Sequence, residues 1–201
     1  MERRTHKGTV RVEKRNDDGP ATITGYAAVF YRAEDAGTEF ELYSDLAERI
    51  MPGAFDRALG ERDDVRALFN HDANHLLGRS SSGTLSLSVD ERGLRYEIQV
   101  DPDDADHASV LRKIDRGDLD GSSFAFKVTD QRFNDDATVR EIRGVELFDV
   151  GPVTFPAYES TTAAARSGDC DDALKARDQW RAGKAAEFKA RARALAVKME
   201  T

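Results

Sequence analysis

Alternating apolar and polar positions dominate the chain up to residue 158. Period-2 patterns, which are typical of half-buried strands, cover residues 8–14, 21–30, 83–89 and 93–100. The last two flank Asp90-Glu91-Arg92, a loop that favours a hairpin. Four β-rich segments complete a set of seven or eight predicted strands: VRALFN (65–70), SSFAFKVTD (122–130), ATVREIRGVELFDV (137–150) and VTFPAY (153–158). Short strands at such regular spacing favour a barrel or a sandwich.

Two short helices are predicted between these strands. Pro52 can begin the first, which continues through Leu59, because proline is tolerated in the first turn of a helix. Asp106 can cap the second, and Gly117 ends it. The core-facing positions of this second helix are Val110, Leu111 and Ile114. The pattern therefore predicts a β-rich α+β domain.

Charge and composition change near residues 160–170. The chain has 201 residues and a net charge of −8, which divides into −11 for residues 1–165 and +3 for residues 166–201. We therefore predict one domain over 1–165 and a basic helical tail over 166–201. The apolar residues of the tail fall within an arc of about 120° on a helical projection, which predicts an amphipathic helix. They are Leu174, Trp180, Phe188, Leu195 and Met199.

Composition also bounds the class of protein. An acidic body disfavours nucleic-acid binding. No apolar run approaches the roughly 20 residues needed to cross a bilayer. The basic residues at the start of the chain are not followed by the apolar stretch that is typical of a secretory signal. One cysteine, Cys170, excludes an internal disulfide and a multi-thiolate zinc site. We expect an intracellular soluble protein that binds neither nucleic acid nor membrane.

The most informative histidine follows a predicted core strand. Residues 65–69 lead directly into Asn70-His71-Asp72, so His71 is held at a loop edge where a general base is useful. A surface-loop histidine is the alternative interpretation. A metal site would pair His71 with His75, four residues later, but no third ligand is nearby and Gly78 weakens the case for a helix.

A serine and a carboxylate stand on two other predicted strands. Ser123 follows a glycine turn, and a base such as His71 would make it nucleophilic; ordinary turn chemistry is the alternative for both Ser122 and Ser123. Asp149 lies inside an apolar run, where an inward carboxylate needs a partner such as an imidazolium. The alternative interpretation is that Asp149 lies at a sheet edge in contact with water.

Taken in order, these segments resemble the prohead (capsid maturation) serine proteases of tailed phages, which are distant relatives of herpesvirus assemblins. The resemblance covers about residues 8–166. It implies His71 as base, Ser123 rather than Ser122 as nucleophile, and Asp149 as the orienting acid with Glu146 in reserve. The matching stretches are GYAAVF (25–30), ERIMPGAF (48–55), LFNHD (68–72), LGR (77–79), GTL (83–85), RGD (116–118), SSFAF (122–126), LFDV (147–150) and VTFPAY (153–158).

The resemblance also implies a fold, partners and a location. The implied fold is a closed, antiparallel-type β-barrel of about seven strands flanked by helices, herpesvirus-protease-like, with a C-terminal helix added. The implied substrates are the scaffolding segment of the major capsid protein and the protease's own tail, inside the assembling prohead in the host cytoplasm. No cofactor or metal is expected, and self-association is left open.

Two positions depart from the family pattern. Ala125 stands where glycine is usual and could narrow the cleft, and Gly151 stands where serine is common, which removes a hydroxyl. These departures keep a second hypothesis open, a catalytically inactive capsid-assembly or scaffolding module on the same barrel. A zinc hydrolase and a nucleic-acid-binding module are more remote alternatives.

Overall fold

The computed structural model describes residues 1–7, 10–14, 21–61, 63–101, 103–155 and 171–199. Within these ranges the chain is α+β and rich in strands. The helices are α1 (Asp56–Gly60), α2 (Ala105–Asp115) and α3 (Asp171–Met199), with 3₁₀ turns at Ala36–Thr38 and Ser80–Ser82. The strands are β1 (Glu2–His6), β2 (Arg11–Lys14), β3 (Ala21–Val29), β4 (Glu39–Tyr43), β5 (Leu46–Ile50), β6 (Arg66–Leu68), β7 (Leu76–Arg79), β8 (Leu85–Val89), β9 (Gly93–Gln99), β10 (Gly121–Phe133) and β11 (Val139–Val153).

The described strands form two sheets. The larger has the order β1-β10-β11-β5-β4, and β6 joins it on β11 with β7 beyond. The smaller has the order β2-β3-β9-β8. These pairings do not close into a ring, so the closed barrel is not confirmed. The larger sheet is also mixed rather than purely antiparallel, because β11 runs parallel to both β5 and β6.

Most of the predicted elements are present. The predicted hairpin is formed by β8 and β9, and Asp90 closes its loop by accepting backbone N–H bonds from Arg92 and Gly93. Both predicted body helices appear, but the first begins at Asp56 rather than Pro52, and the second is capped by Asp104 rather than Asp106. The strand predicted at 153–158 is not a separate strand in the described part of the chain: Val153 ends β11, residues 154 and 155 form a bend, and residues 156–158 lie outside the described ranges. Strands β1, β4, β5 and β7 were not predicted.

The core lies between the two sheets and explains why β10 is buried from its start. Residues Gly121–Phe126 are all buried, as expected for a strand covered on both faces. The Phe124 ring stacks on Phe126 at 4.7 Å and meets Phe55 edge-on at 5.8 Å. On the facing strand β9 the buried residues alternate, with Leu94, Tyr96 and Ile98 inward. This packing fixes the strand that carries the two candidate serines.

The contacts between the described side chains of helix α3 and the body lie in the first half of the helix, from Asp172 to Lys184. Ala173 is buried with Leu42, Leu46 and Phe133, and the Trp180 ring lies 5.9 Å from that of Phe133. Farther along, Phe188 is 75% exposed. The predicted apolar arc is therefore used at Leu174 and Trp180 but not at Phe188, and the side chains of Leu195 and Met199 are outside the description. The predicted domain boundary also lies in residues outside the described ranges, so it stays a prediction. None of the helices in those ranges combines the length and apolar character needed to span a bilayer.

Candidate active site

Strand β6 brings His71 to the sheet. It pairs in parallel with β11 at Asp149↔Arg66 and Val150↔Ala67, so the residues after Leu68 emerge beside the end of β11. Gly151 permits this approach: its φ is +154°, and a Cβ there would overlap the carbonyl oxygen of Leu68. A side chain at position 151 would therefore push β6 away. Gly151, which replaces the hydroxyl of the family's serine, therefore allows β6 and β11 to pair closely.

The turn that carries His71 has an unusual backbone held by side-chain bonds. Asn70 and His71 have φ of 56° and 57°, the left-handed region that asparagine tolerates better than most residues. The Asn70 side chain donates to Thr154 Oγ1 at 3.0 Å and accepts from the Thr154 backbone N–H at 2.8 Å. Asn70 thereby ties the turn to the chain just after β11. No sequence pattern indicates this role of Asn70.

The three residues predicted as a set lie in hydrogen-bond contact. His71 Nδ1 is 2.5 Å from Asp149 Oδ1, and His71 Nε2 is 2.6 Å from Ser123 Oγ. The side chains of His71 and Asp149 are each only 9% exposed. An ionised carboxylate accepts hydrogen bonds only, so Asp149 accepts a hydrogen bond from His71 Nδ1–H, and Nε2 of the neutral imidazole is left as an acceptor towards Ser123.

The neighbouring candidates have other partners. Ser122 Oγ is hydrogen bonded to the buried Tyr96 hydroxyl at 2.8 Å, and burial raises the pKa of Tyr96 above its ordinary range. Glu146 is half-buried beside Lys127 in the β10–β11 ladder, and no bond to His71 is recorded for it. Asp149, which pairs with Arg66 at the start of β6, is the carboxylate that bonds to His71.

The two histidines of the metal alternative are used separately. His75 Nδ1 is 3.0 Å from Asp106 Oδ2 on α2, whereas His71 is bonded to Asp149. In the part of the chain that the structure describes, no group of three or more histidine, cysteine or acidic residues is arranged to hold a metal ion.

Strand β1 adds a contact to Ser123 that the sequence pattern does not predict. It pairs antiparallel with β10, placing Thr5 opposite Ser123 and Arg4 opposite Phe124. Ser123 Oγ is 2.8 Å from the Arg4 carbonyl oxygen, and Ser123 has no exposed surface. The candidate nucleophile is thus covered by the N-terminal strand.

A buried set of four charges holds β1 in place. The Arg4 guanidinium donates to Glu48 at 2.5 Å and to Glu2 at 2.7 Å. Arg140 donates to Glu2 and to Glu48, each at 2.8 Å. Burial alone would raise the pKa of Glu2, but the bonds and charges of Arg140 and Arg4 outweigh it and hold that pKa below the usual range. Two carboxylates and two guanidiniums are balanced inside the fold.

A carboxylate, an imidazole and a serine hydroxyl bonded in series is the arrangement of serine hydrolases. The sequence profile of the Caudovirus prohead serine proteases matches residues 8–176, so the chain belongs to that family. The prohead protease of Enterobacteria phage HK97 is 28% identical over 168 residues, which cover 82% of this chain and 68% of the HK97 protein. No solved structure matches the chain.

Ala125, the second position that departs from the family pattern, lies within strand β10. Ala125 is fully buried on β10, opposite Asp149 in the β10–β11 ladder and opposite Arg3 in the β1–β10 ladder. It shares a strand face with Ser123, as alternation along β10 requires. With alanine at this position, Asp149, His71 and Ser123 remain hydrogen bonded to one another.

Proposed function

We propose that this protein is a serine endopeptidase of phage capsid maturation that works through an acyl-enzyme. The observation that carries the proposal is the series Asp149–His71–Ser123, with bond lengths of 2.5 and 2.6 Å, in a member of a serine protease family. Each of the three side chains comes from a different strand or the turn after it, so tertiary structure holds the set together.

In the acylation step, His71 Nε2 accepts the Ser123 proton while Ser123 Oγ attacks the carbonyl carbon of the scissile peptide bond. Backbone N–H groups stabilise the resulting oxyanion, a contribution of about 3–4 kcal/mol per donor in other enzymes. The tetrahedral intermediate collapses and breaks the C–N bond, and the leaving amine takes the proton from His71. The amino-terminal half of the substrate remains as an ester on Ser123.

In the deacylation step, His71 accepts a proton from water and the hydroxide attacks the ester carbonyl. Collapse releases a carboxylate product and returns the proton to Ser123 Oγ. Asp149 accepts the Nδ1–H bond throughout, which keeps Nε2 free to act and stabilises the imidazolium when it forms. Glu146 has no part in this scheme.

We propose as substrates the scaffolding segment of the major capsid protein and the protease's own tail, cleaved inside the assembling prohead in the bacterial host. The name of the HK97 relative, a prohead protease, supports this assignment. The tail also offers accessible chain, since the described side chains of α3 are exposed from Arg181 onward. Capsid protein is accordingly the proposed partner.

Co-expression with the capsid protein of the same phage tests the proposal. Wild type should process the capsid protein, and Ser123→Ala and His71→Ala should not. Ser122→Ala and His75→Ala are matched controls that should retain processing, with thermal melts to show that each variant folds. Full processing by Ser123→Ala or His71→Ala would refute the assignment. A folded wild type that cleaves nothing would instead favour the inactive assembly module.

A further inference from the structure

Strand β1 occupies the edge of β10 where an extended peptide would have to reach Ser123. Five residues of β1 pair antiparallel with residues 122–126, and Ser123 is fully buried beneath them. Peptides bind to sheet edges through the same ladder of main-chain bonds. A substrate and β1 therefore cannot occupy this edge together.

The contact with Arg4 also affects the proton of Ser123. A serine hydroxyl has one proton, and two acceptors compete for it, His71 Nε2 at 2.6 Å and the Arg4 carbonyl oxygen at 2.8 Å. Only the imidazole can carry that proton away at neutral pH. While the hydroxyl donates to Arg4, His71 cannot activate it.

Strand β1 is joined to its sheet along one side, while its buried side chains Glu2 and Arg4 pack against the body. It is the end strand of its sheet and, among the described strands, pairs only with β10. It also precedes the family match, which begins at residue 8. No residue of β1 takes part in the β10–β11 ladder or in the Asp149–His71 bond, so removing β1 takes no partner from either.

The charges beneath β1 define what else could bind there. Glu2 and Arg4, two positions apart, point to the same side of the strand and meet Arg140 and Glu48. Without β1, Glu48 and Arg140 still pair with each other at 2.8 Å. The vacated groove thus presents one anion and one cation, which complement a strand with an acidic and a basic residue at alternate positions.

We propose that this β10 edge is the peptide-binding site and that residues 2–6 occupy it in cis, so that the protease is closed until β1 leaves. The ligand is an extended peptide that carries an acidic and a basic side chain two residues apart. The inference rests on the proposed function for its catalytic meaning, but peptide binding tests it without catalysis.

A reversible cross-link tests closure in the full chain. Arg3 and Ala125 are Cα partners, so Arg3→Cys with Ala125→Cys can form a disulfide that fixes β1 on β10. Cys170→Ser prevents mispairing. We expect a small fluorophosphonate to label Ser123 at least about tenfold more slowly in the oxidised than in the reduced protein. Equal rates in the two forms of the same variant would overturn the proposal.

Loosening β1 tests the same point from the other side. Glu2→Ala with Arg4→Ala removes one charge of each sign and leaves Glu48–Arg140 paired, so no lone charge is buried. The matched control is Glu39→Ala with Arg49→Ala, an ion pair of the same type on β4 and β5. The first variant should label at least about tenfold faster than wild type and the control at the wild-type rate; equal labelling of all three would contradict closure.

Peptide binding separates failure of this inference from failure of the proposed function. A fluorescent peptide of residues 1–7 should bind the loosened variant, as measured by anisotropy, and the same peptide with alanine at positions 2 and 4 should bind at least about tenfold more weakly. If nothing labels Ser123 in any variant, the proposed function fails and this binding result alone decides the inference. Equal affinity of the two peptides, or no binding, overturns it.

Discussion

Two segments reach the Ser123 hydroxyl and have opposite chemical effects. The His71 turn presents an imidazole nitrogen at 2.6 Å, and β1 presents a backbone carbonyl at 2.8 Å. Both are good hydrogen-bond acceptors, but only the imidazole has a basicity matched to removing a proton near neutral pH. In the proposed mechanism, contacts of similar length therefore have different effects: the imidazole activates the hydroxyl, and the carbonyl keeps it inactive.

The two segments are also anchored differently. The His71 turn continues from β6, which pairs with strands on both sides, and Asn70 binds it to Thr154. Strand β1 is held along one edge and by four buried charges. Its anchorage is therefore concentrated in a few interactions, whereas that of the turn is spread over two strand pairings. Substitutions on each side should separate the two roles.

The largest effect is expected from breaking the Asp149–His71 bond. Asp149→Asn keeps the shape but removes the acceptor that selects the imidazole tautomer, so peptide cleavage should fall by about 10⁴-fold, as in other serine proteases. Cleavage of a peptide from the capsid protein measures this, and Glu146→Gln is the control that should keep wild-type activity. Comparable losses in both variants would contradict the choice of Asp149 over Glu146.

A smaller effect is expected from moving the His71 turn as a whole. In Gly151→Ser the new Cβ would overlap Leu68 O, so β6 must shift and carry His71 with it. A displacement of about 1 Å at a reacting group costs about 10²-fold in rate. Gly60→Ser, where nothing lies within 4 Å of an added Cβ, is the control. Wild-type labelling of Ser123 in a folded Gly151→Ser variant would contradict this link between Gly151 and the position of His71.

The smallest effect is expected in the pH dependence of the free energy of unfolding, through Glu2 on β1. The folded pKa of Glu2 is lowered, so its ionised form stabilises the fold above the unfolded pKa of about 4.3, and that stability is lost as pH falls through the folded value. Glu2→Gln should lower the free energy of unfolding at pH 7 by about 1.5 kcal/mol, and the gap should narrow below about pH 4. Urea titrations at both pH values measure this. A gap that stays constant with pH would show that Glu2 is not the group responsible.

The sequence was informative wherever burial and polarity followed the strand period. The β8–β9 hairpin and the start of β10 show that pattern plainly, and the three predicted site residues, His71, Ser123 and Asp149, lie in hydrogen-bond contact. Each of the three stands on or just after an apolar segment, so its position could be inferred locally. The open pairing of the sheets could not, because sheet closure depends on contacts distant in sequence.

The buried charges explain why the sequence pattern does not predict two of the strands, β5 and β1. In β5 the buried positions are Leu46, Glu48 and Ile50, and the charged residue at the centre hides the alternation. In β1 the buried positions are Glu2 and Arg4, so the segment looks like a solvated tail. Each strand supplies the charges that make burial of the other acceptable, and such mutual compensation is not visible in either segment alone.

Because β1 belongs to the same chain as β10, a substrate strand competes with a tethered rival. A short tether gives its ligand an effective concentration of about the millimolar range. If capsid protein is the substrate, as proposed above, dilute capsid protein would lose that competition, whereas subunits crowded into a closed shell would approach the required concentration. The N-terminal strand would then make proteolysis depend on how densely substrate is packed around the enzyme, and so delay cutting until a shell has been built.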